Sequence, residues 1–128
     1  MEVLTNCGIV VEIENIINIV GGNQEFKILA LTKDRGKIEI CIDNVWSMQY
    51  SIENVNISRF CHYREYNELP PPYSSIMTVE ESSYLAVVKK EIGETYPSEN
   101  LKHYIIIDKV DTVLDIVALT EPKITSII

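Results

Sequence analysis

An α+β domain is predicted for this chain: a mostly antiparallel β-sheet built from consecutive hairpins, with one helix at about residues 82–92 packed on it. Three observations carry the prediction. Apolar residues alternate with period two over a long stretch of the first half. Polar, turn-forming tetrapeptides separate pairs of such stretches. Only one segment spaces its apolar residues as a helix does.

Taken in order, Ile9 to Val20 is rich in Ile and Val, which favour a pleated surface, and Gly21-Gly22-Asn23 ends it with residues that tolerate positive φ. The apolar parity slips between Val11/Ile13 and Ile17/Ile19, which marks a break or bulge near Asn15. Phe26 to Thr32 and the run from Ile38 to Ile42 flank Lys33-Asp34-Arg35-Gly36, so residues 26–42 read as a hairpin. The same alternation continues through Asn44, Trp46, Met48, Tyr50 and Ile52 on one face, and slips again near Glu53-Asn54. Residues 61–75, with Pro70-Pro71-Pro72, read as a surface loop rather than a ligand for an aromatic groove, since no flanking repeat accompanies the prolines.

Thr78 and Glu81 have capping-box spacing, Leu85, Val88 and Ile92 follow at helical spacing, Lys89 and Lys90 lie near the C-terminal end, and Gly93 stops the helix. Val87 and Val88 lower its intrinsic propensity, so packing on the sheet must hold it. Tyr104–Ile107 and Thr112–Leu119 form a second hairpin about Asp108–Asp111, and Lys123–Ile128, beyond Pro122, is an added edge strand or a packed terminus.

The 128 residues suffice for one sizeable core, and 46% hydrophobic with 23% charged residues is the composition of a chain that folds unaided. Glu2, Glu12 and Glu14 do not suit a targeting leader, and no stretch is long enough to span a bilayer. Cys7, Cys41 and Cys61 are odd in number and widely spaced, which fits neither a disulfide framework nor a zinc site, so the cytoplasm is the expected location.

The search for chemistry excludes more than it finds. Gly21-Gly22 lacks the later glycine and lysine of a phosphate loop, no helix carries paired histidines at metal-binding spacing, and no serine sits in a nucleophile elbow. No cofactor and no metal are expected. One constellation is Cys61, His62, Tyr63, Arg64, Glu65 and Tyr66, where His62 with distant His103 would serve a small metal-independent nuclease or hydrolase if the two rings met. The other is Asp108, Asp111 and Asp115, which lack the alternating ligands and glycine of a calcium loop. On a strand, Asp111 and Asp115 share a face with Val113 and Val117, opposite Thr112, Leu114 and Ile116: an acidic patch or a solvated strand face.

Segments 44–60 (NVWSMQYSIENVNISRF) and 101–118 (LKHYIIIDKVDTVLDIVA) resemble small bacterial proteins of the toxin-immunity type. The resemblance implies a protein-binding role and carries no residue assignments. Charge points the same way. Nineteen acids against eleven bases give a net charge of -8, which repels nucleic acid and anionic membranes and attracts a basic protein. Residues 65–128 hold eleven of the acids and five of the bases. The expected function is therefore a non-enzymatic binding protein, most specifically an immunity protein that neutralises a cationic toxin such as a nuclease. Its expected contacts are Glu65, Tyr66 and Glu68 in the proline loop and Asp108, Asp111 and Asp115 on the second hairpin. A small-ligand-binding domain is the further alternative and requires a deep apolar pocket between helix and sheet. Oligomeric state is left open by the sequence.

Overall fold

A computed structural model describes residues 3–52, 74–93, 99–110 and 112–127. Among them are nine strands and one helix: β1 (Val3–Asn6), β2 (Ile13–Gly22), β3 (Glu25–Thr32), β4 (Lys37–Ile42), β5 (Val45–Ile52), β6 (Ile76–Glu80), α1 (Ser83–Ile92), β7 (Lys102–Ile107), β8 (Thr112–Ala118) and β9 (Lys123–Ile127). The fold class is α+β with antiparallel sheet throughout: every strand pairing runs antiparallel, in a larger sheet of order β1-β6-β7-β8-β5 and a smaller one of order β2-β3-β4-β9. No helix among the described residues is long and apolar enough to cross a membrane.

The two sheets share one apolar core. Ile13, Ile28, Ile38 and Ile40 of the smaller sheet pack with Val45, Ile76, Ile106, Leu114 and Ile116 of the larger. Each fully buried isoleucine of this kind contributes about 1.5–3 kcal/mol relative to an exposed one. The other face of the larger sheet is also apolar. There Val117 and Leu101 meet Val88 of α1, with Trp46, Tyr84, Leu85 and Ile92 packed around them. The larger sheet is thus buried on both faces, and all seven residues of β8 are buried.

Both hairpins fall where the alternation places them. β3 and β4 pair about residues 33–36, and Thr32 closes the turn by accepting the Arg35 N–H and donating its hydroxyl to the Gly36 carbonyl. β7 and β8 pair with Ile107 opposite Val113. β9 pairs with β4 and forms an edge of the smaller sheet. In β2 the expected irregularity is a pair of register shifts, between Ile13 and Asn15 and between Ile16 and Asn18. These turn Ile13, Ile16 and Ile19 inward and leave Ile17 exposed. The turn that follows is made by Asn23 and Gln24, both at positive φ (53° and 67°), whereas Gly21 and Gly22 lie within the strand. Gly21 pairs with Phe26, whose ring covers it so closely that a Cβ there would fall 2.1 Å from Cδ1.

Three expectations are corrected. The alternation from Ile38 to Ile52 is not one face of one strand. Asn44 adopts a left-handed conformation (φ 54°), the chain passes from the smaller to the larger sheet, and a register shift between Val45 and Ser47 turns Trp46 toward the helix. The helix cap is Ser82, not Thr78. Ser82 Oγ accepts the Leu85 N–H, Thr78 lies in β6, and Glu81 precedes the cap at φ 54°. Gly93 ends the helix at φ 72°, as expected, its N–H reaching the Lys89 carbonyl. Finally, Ser74 and Ser75, read as the end of a surface loop, are buried. Ser74 Oγ donates to the Ile9 carbonyl at 2.6 Å and Ser75 Oγ accepts the Ile13 N–H at 2.8 Å, which ties down the crossing from β1 to β2. The remainder of the proline loop lies outside the described residues.

Candidate functional site

The larger sheet buries a chain of polar groups under α1. On the β7–β8 ladder His103 stands opposite Val117 and Ile105 opposite Asp115, so His103 and Asp115 are diagonal neighbours on the helix-facing side. His103 Nε2 lies 2.6 Å from Asp115 Oδ1, and His103 Nδ1 lies 2.5 Å from Ser82 Oγ. With the ring proton on Nε2 every atom is used. Nε2–H donates to the carboxylate, the Ser82 hydroxyl donates to Nδ1, and Ser82 Oγ accepts the Leu85 N–H. Tyr84 sits edge-on to the imidazole with ring centroids 5.3 Å apart, and its hydroxyl makes a short hydrogen bond with Ser47 Oγ of β5. Burial pushes the Tyr84 phenol above its ordinary range, with the Ser47 bond opposing and Asp115 adding to the shift.

Serine, histidine and aspartate in series invite a hydrolytic reading, but their placement opposes it. His103 is 0% exposed and Ser82 9%, and both imidazole nitrogens are engaged within the protein. A hydroxyl and a base enclosed in this way have no open face on which a substrate could sit. The arrangement joins the helix N-terminus to the sheet interior.

The structure revises the contact residues expected on the second hairpin. Asp108 and Asp115 are 7% and 2% exposed and their carboxylates are engaged by groups within the protein, so neither is offered to a partner. Asp108 Oδ1 accepts the N–H groups of Val110 and Thr112 and closes the hairpin, while its Oδ2 accepts the Ile16 N–H and binds the hairpin to β2. Nearby, exposed Lys109 bridges Glu12 and Glu14, each at 3.3 Å. Asp115 does share its face with Val113 and Val117, but that face lies beneath other groups rather than in water. Glu65, Tyr66, Glu68, Asp111, His62 and Cys61 lie outside the described residues.

Two further features complete the picture. Cys7 and Cys41 are free thiols. Burial, then the hydrogen bond from Cys41 to Glu39, push the Cys41 thiol up, the reverse of what a reactive cysteine needs. Among the described residues no group of three or more His, Cys, Asp or Glu side chains is arranged to hold a metal ion.

At one end of the larger sheet lies a groove of about 350 Å³, lined by Thr5, Thr78, Glu80, Lys102, Tyr104 and Glu121 among others. It is largely polar. Between α1 and the sheet, among the described residues, Val88, Leu101 and Val117 pack together with Trp46, Tyr84, Leu85 and Ile92 around them. Glu80, Glu121 and Tyr104 were not singled out by sequence reasoning. The signal for Tyr104 was positional: it lies two residues before Ile106 of the shared core on the same strand.

An α+β protein with two antiparallel sheets, a buried Ser-His-Asp relay and an open acidic groove is what the fold and site define. Compared with models of known families, with curated proteins and with solved structures, the chain shows no match.

Proposed function

We propose that this chain is a non-enzymatic cytoplasmic binding protein for a basic partner, and most specifically an immunity protein that neutralises a cationic toxin such as a nuclease by offering carboxylates where the toxin engages phosphates. The observation that carries the reading is the surplus of nineteen acids over eleven bases. It is joined by exposed Glu80, Glu99 and Glu121, which have no hydrogen-bond or ion-pair partner among the described residues. Carboxylates not held in an ion pair are available to an incoming cation, and they steer its approach. Glu65, Tyr66, Glu68 and Asp111 stay within the proposed contact set. Asp108 and Asp115 leave it because they are buried and bonded within the protein.

The test is affinity capture with the whole chain from a lysate of the encoding organism, at low and high salt. The expected result is a strongly basic protein, retained at low salt and released at high salt, whose purified activity falls when the chain is added. Capture of no basic protein at low salt, or retention indifferent to salt, overturns the reading.

A further inference from the structure

Tyr104 is 2% exposed, and its phenol has no hydrogen-bond partner among the described residues. Buried tyrosine hydroxyls are ordinarily bonded, because an unmet one carries its full desolvation penalty. The ring stands on the core-facing side of β7, beside Thr78 of β6 and Ile116 of β8, and it lines the groove at the sheet end. Burial first, then Glu121 and Cys7, which line the same groove, together push the phenol up to about 12.

The surroundings select the ligand. Exposed Glu80 and Glu121 face the groove without a partner of their own, against one exposed cation, Lys102. An anion would be repelled by two carboxylates. An apolar group would strip water from those carboxylates and leave the phenol unmet. A guanidinium offers five N–H donors in one plane and is weakly hydrated, so it can serve a phenol oxygen and carboxylates together, whereas an ammonium is a compact, strongly hydrated charge. A volume of about 350 Å³ is at the small end of ligand sites, which run from roughly 300 to 1,000 Å³, and suits a group of side-chain size.

We propose that the groove binds a guanidinium, with Tyr104 accepting one N–H and Glu80 and Glu121 receiving the others. In the reading above this is an arginine side chain of the basic partner, and the inference rests on that reading for the ligand's source.

The experiment is an amide-resolved NMR titration of the whole chain with N-acetyl-arginine amide, with an arginine-containing basic peptide, with agmatine as a free small guanidine, and with N-acetyl-citrulline amide as the uncharged isostere. Expected are shifts at Thr5, Thr78, Lys102 and Tyr104 with the guanidinium probes, and binding of the citrulline probe weaker by about tenfold. Tyr104→Phe is expected to weaken guanidinium binding about tenfold while leaving the thermal midpoint unchanged or higher, since the deleted hydroxyl had no partner in the fold. Glu80→Gln and Glu121→Gln should each weaken it by about threefold, as partly solvated charges do. Tighter binding of the peptide supports a protein partner as the source, and tighter binding of agmatine supports a small guanidine in its place.

Absence of groove shifts with every guanidinium probe, equal binding of the citrulline probe, or a loss of stability in Tyr104→Phe overturns the proposal. The two readings fail separately. If the chain captures a salt-sensitive basic protein that the Glu80→Gln/Glu121→Gln variant holds as tightly, the groove falls and the partner reading stands. If groove shifts are seen and no basic protein is captured, the partner reading falls and the groove stands.

Discussion

At the scale of single residues, the energetics of this protein concentrate in a few buried polar atoms. Asp115→Leu leaves His103 Nε2–H without an acceptor beneath the helix and is expected to lower unfolding free energy by about 2–4 kcal/mol in urea titrations. A His103→Leu/Asp115→Leu double variant should recover part of that loss, because no donor is then stranded. Tyr104 makes a prediction at the alkaline end. Its folded-state value, about 12 against an ordinary 10, means the folded protein holds the phenolic proton more tightly than the unfolded chain. The corresponding stability is complete below pH 10 and lost as pH rises through 12. Thermal midpoints measured over that window should fall for the wild-type chain and fall less for Tyr104→Phe. Gly21 gives a steric case. Gly21→Ala forces the Phe26 ring off the strand and should cost about 1–3 kcal/mol, visible as a lowered urea midpoint.

At the scale of elements, the helix shows how capping and tertiary bonding combine. Ser82 serves the Leu85 N–H and His103 with one hydroxyl, so Ser82→Ala removes a cap and a relay partner together. A loss of about 1–2 kcal/mol is expected from the cap alone, and earlier amide exchange in α1 than in β7 and β8 is the measurement that locates it. The helix limits were legible from Leu85, Val88, Ile92 and Gly93, because those signals are local. The cap was not, since Thr78 and Ser82 are both good capping residues and the choice between them depends on β6 extending to Glu80. β1 and β6 escaped the sequence reading for a related reason. They are strands of four and five residues, too short for alternation to separate them from loop. β2 was legible as irregular, but only pairing with β3 reveals two register shifts and hence which isoleucines turn inward.

At the scale of the whole molecule, the shared core ties the sheets together. Ile40 is fully buried between them, and Ile40→Ala is expected to lower stability by about 2–5 kcal/mol. Because residues of both sheets line the vacated space, tryptophan fluorescence and far-ultraviolet dichroism should lose structure in one coincident transition. Noncoincident transitions would show the sheets to be energetically separate.

The amino-acid order by itself determined what neighbouring residues can settle: two hairpins, their polar turns, the helix and its glycine stop, and the acidic charge. Tertiary structure alone decided where one strand run divides between two sheets at Asn44, and which acids meet water. Asp115, flanked on its own face by Val113 and Val117, carried a faint warning, since one acid on an apolar face suits a buried, bonded carboxylate as well as a surface one. Which it is depends on a histidine twelve residues earlier and a helix packed above both. Alternation reports which residues share a face, while burial of that face depends on what chain from elsewhere covers it.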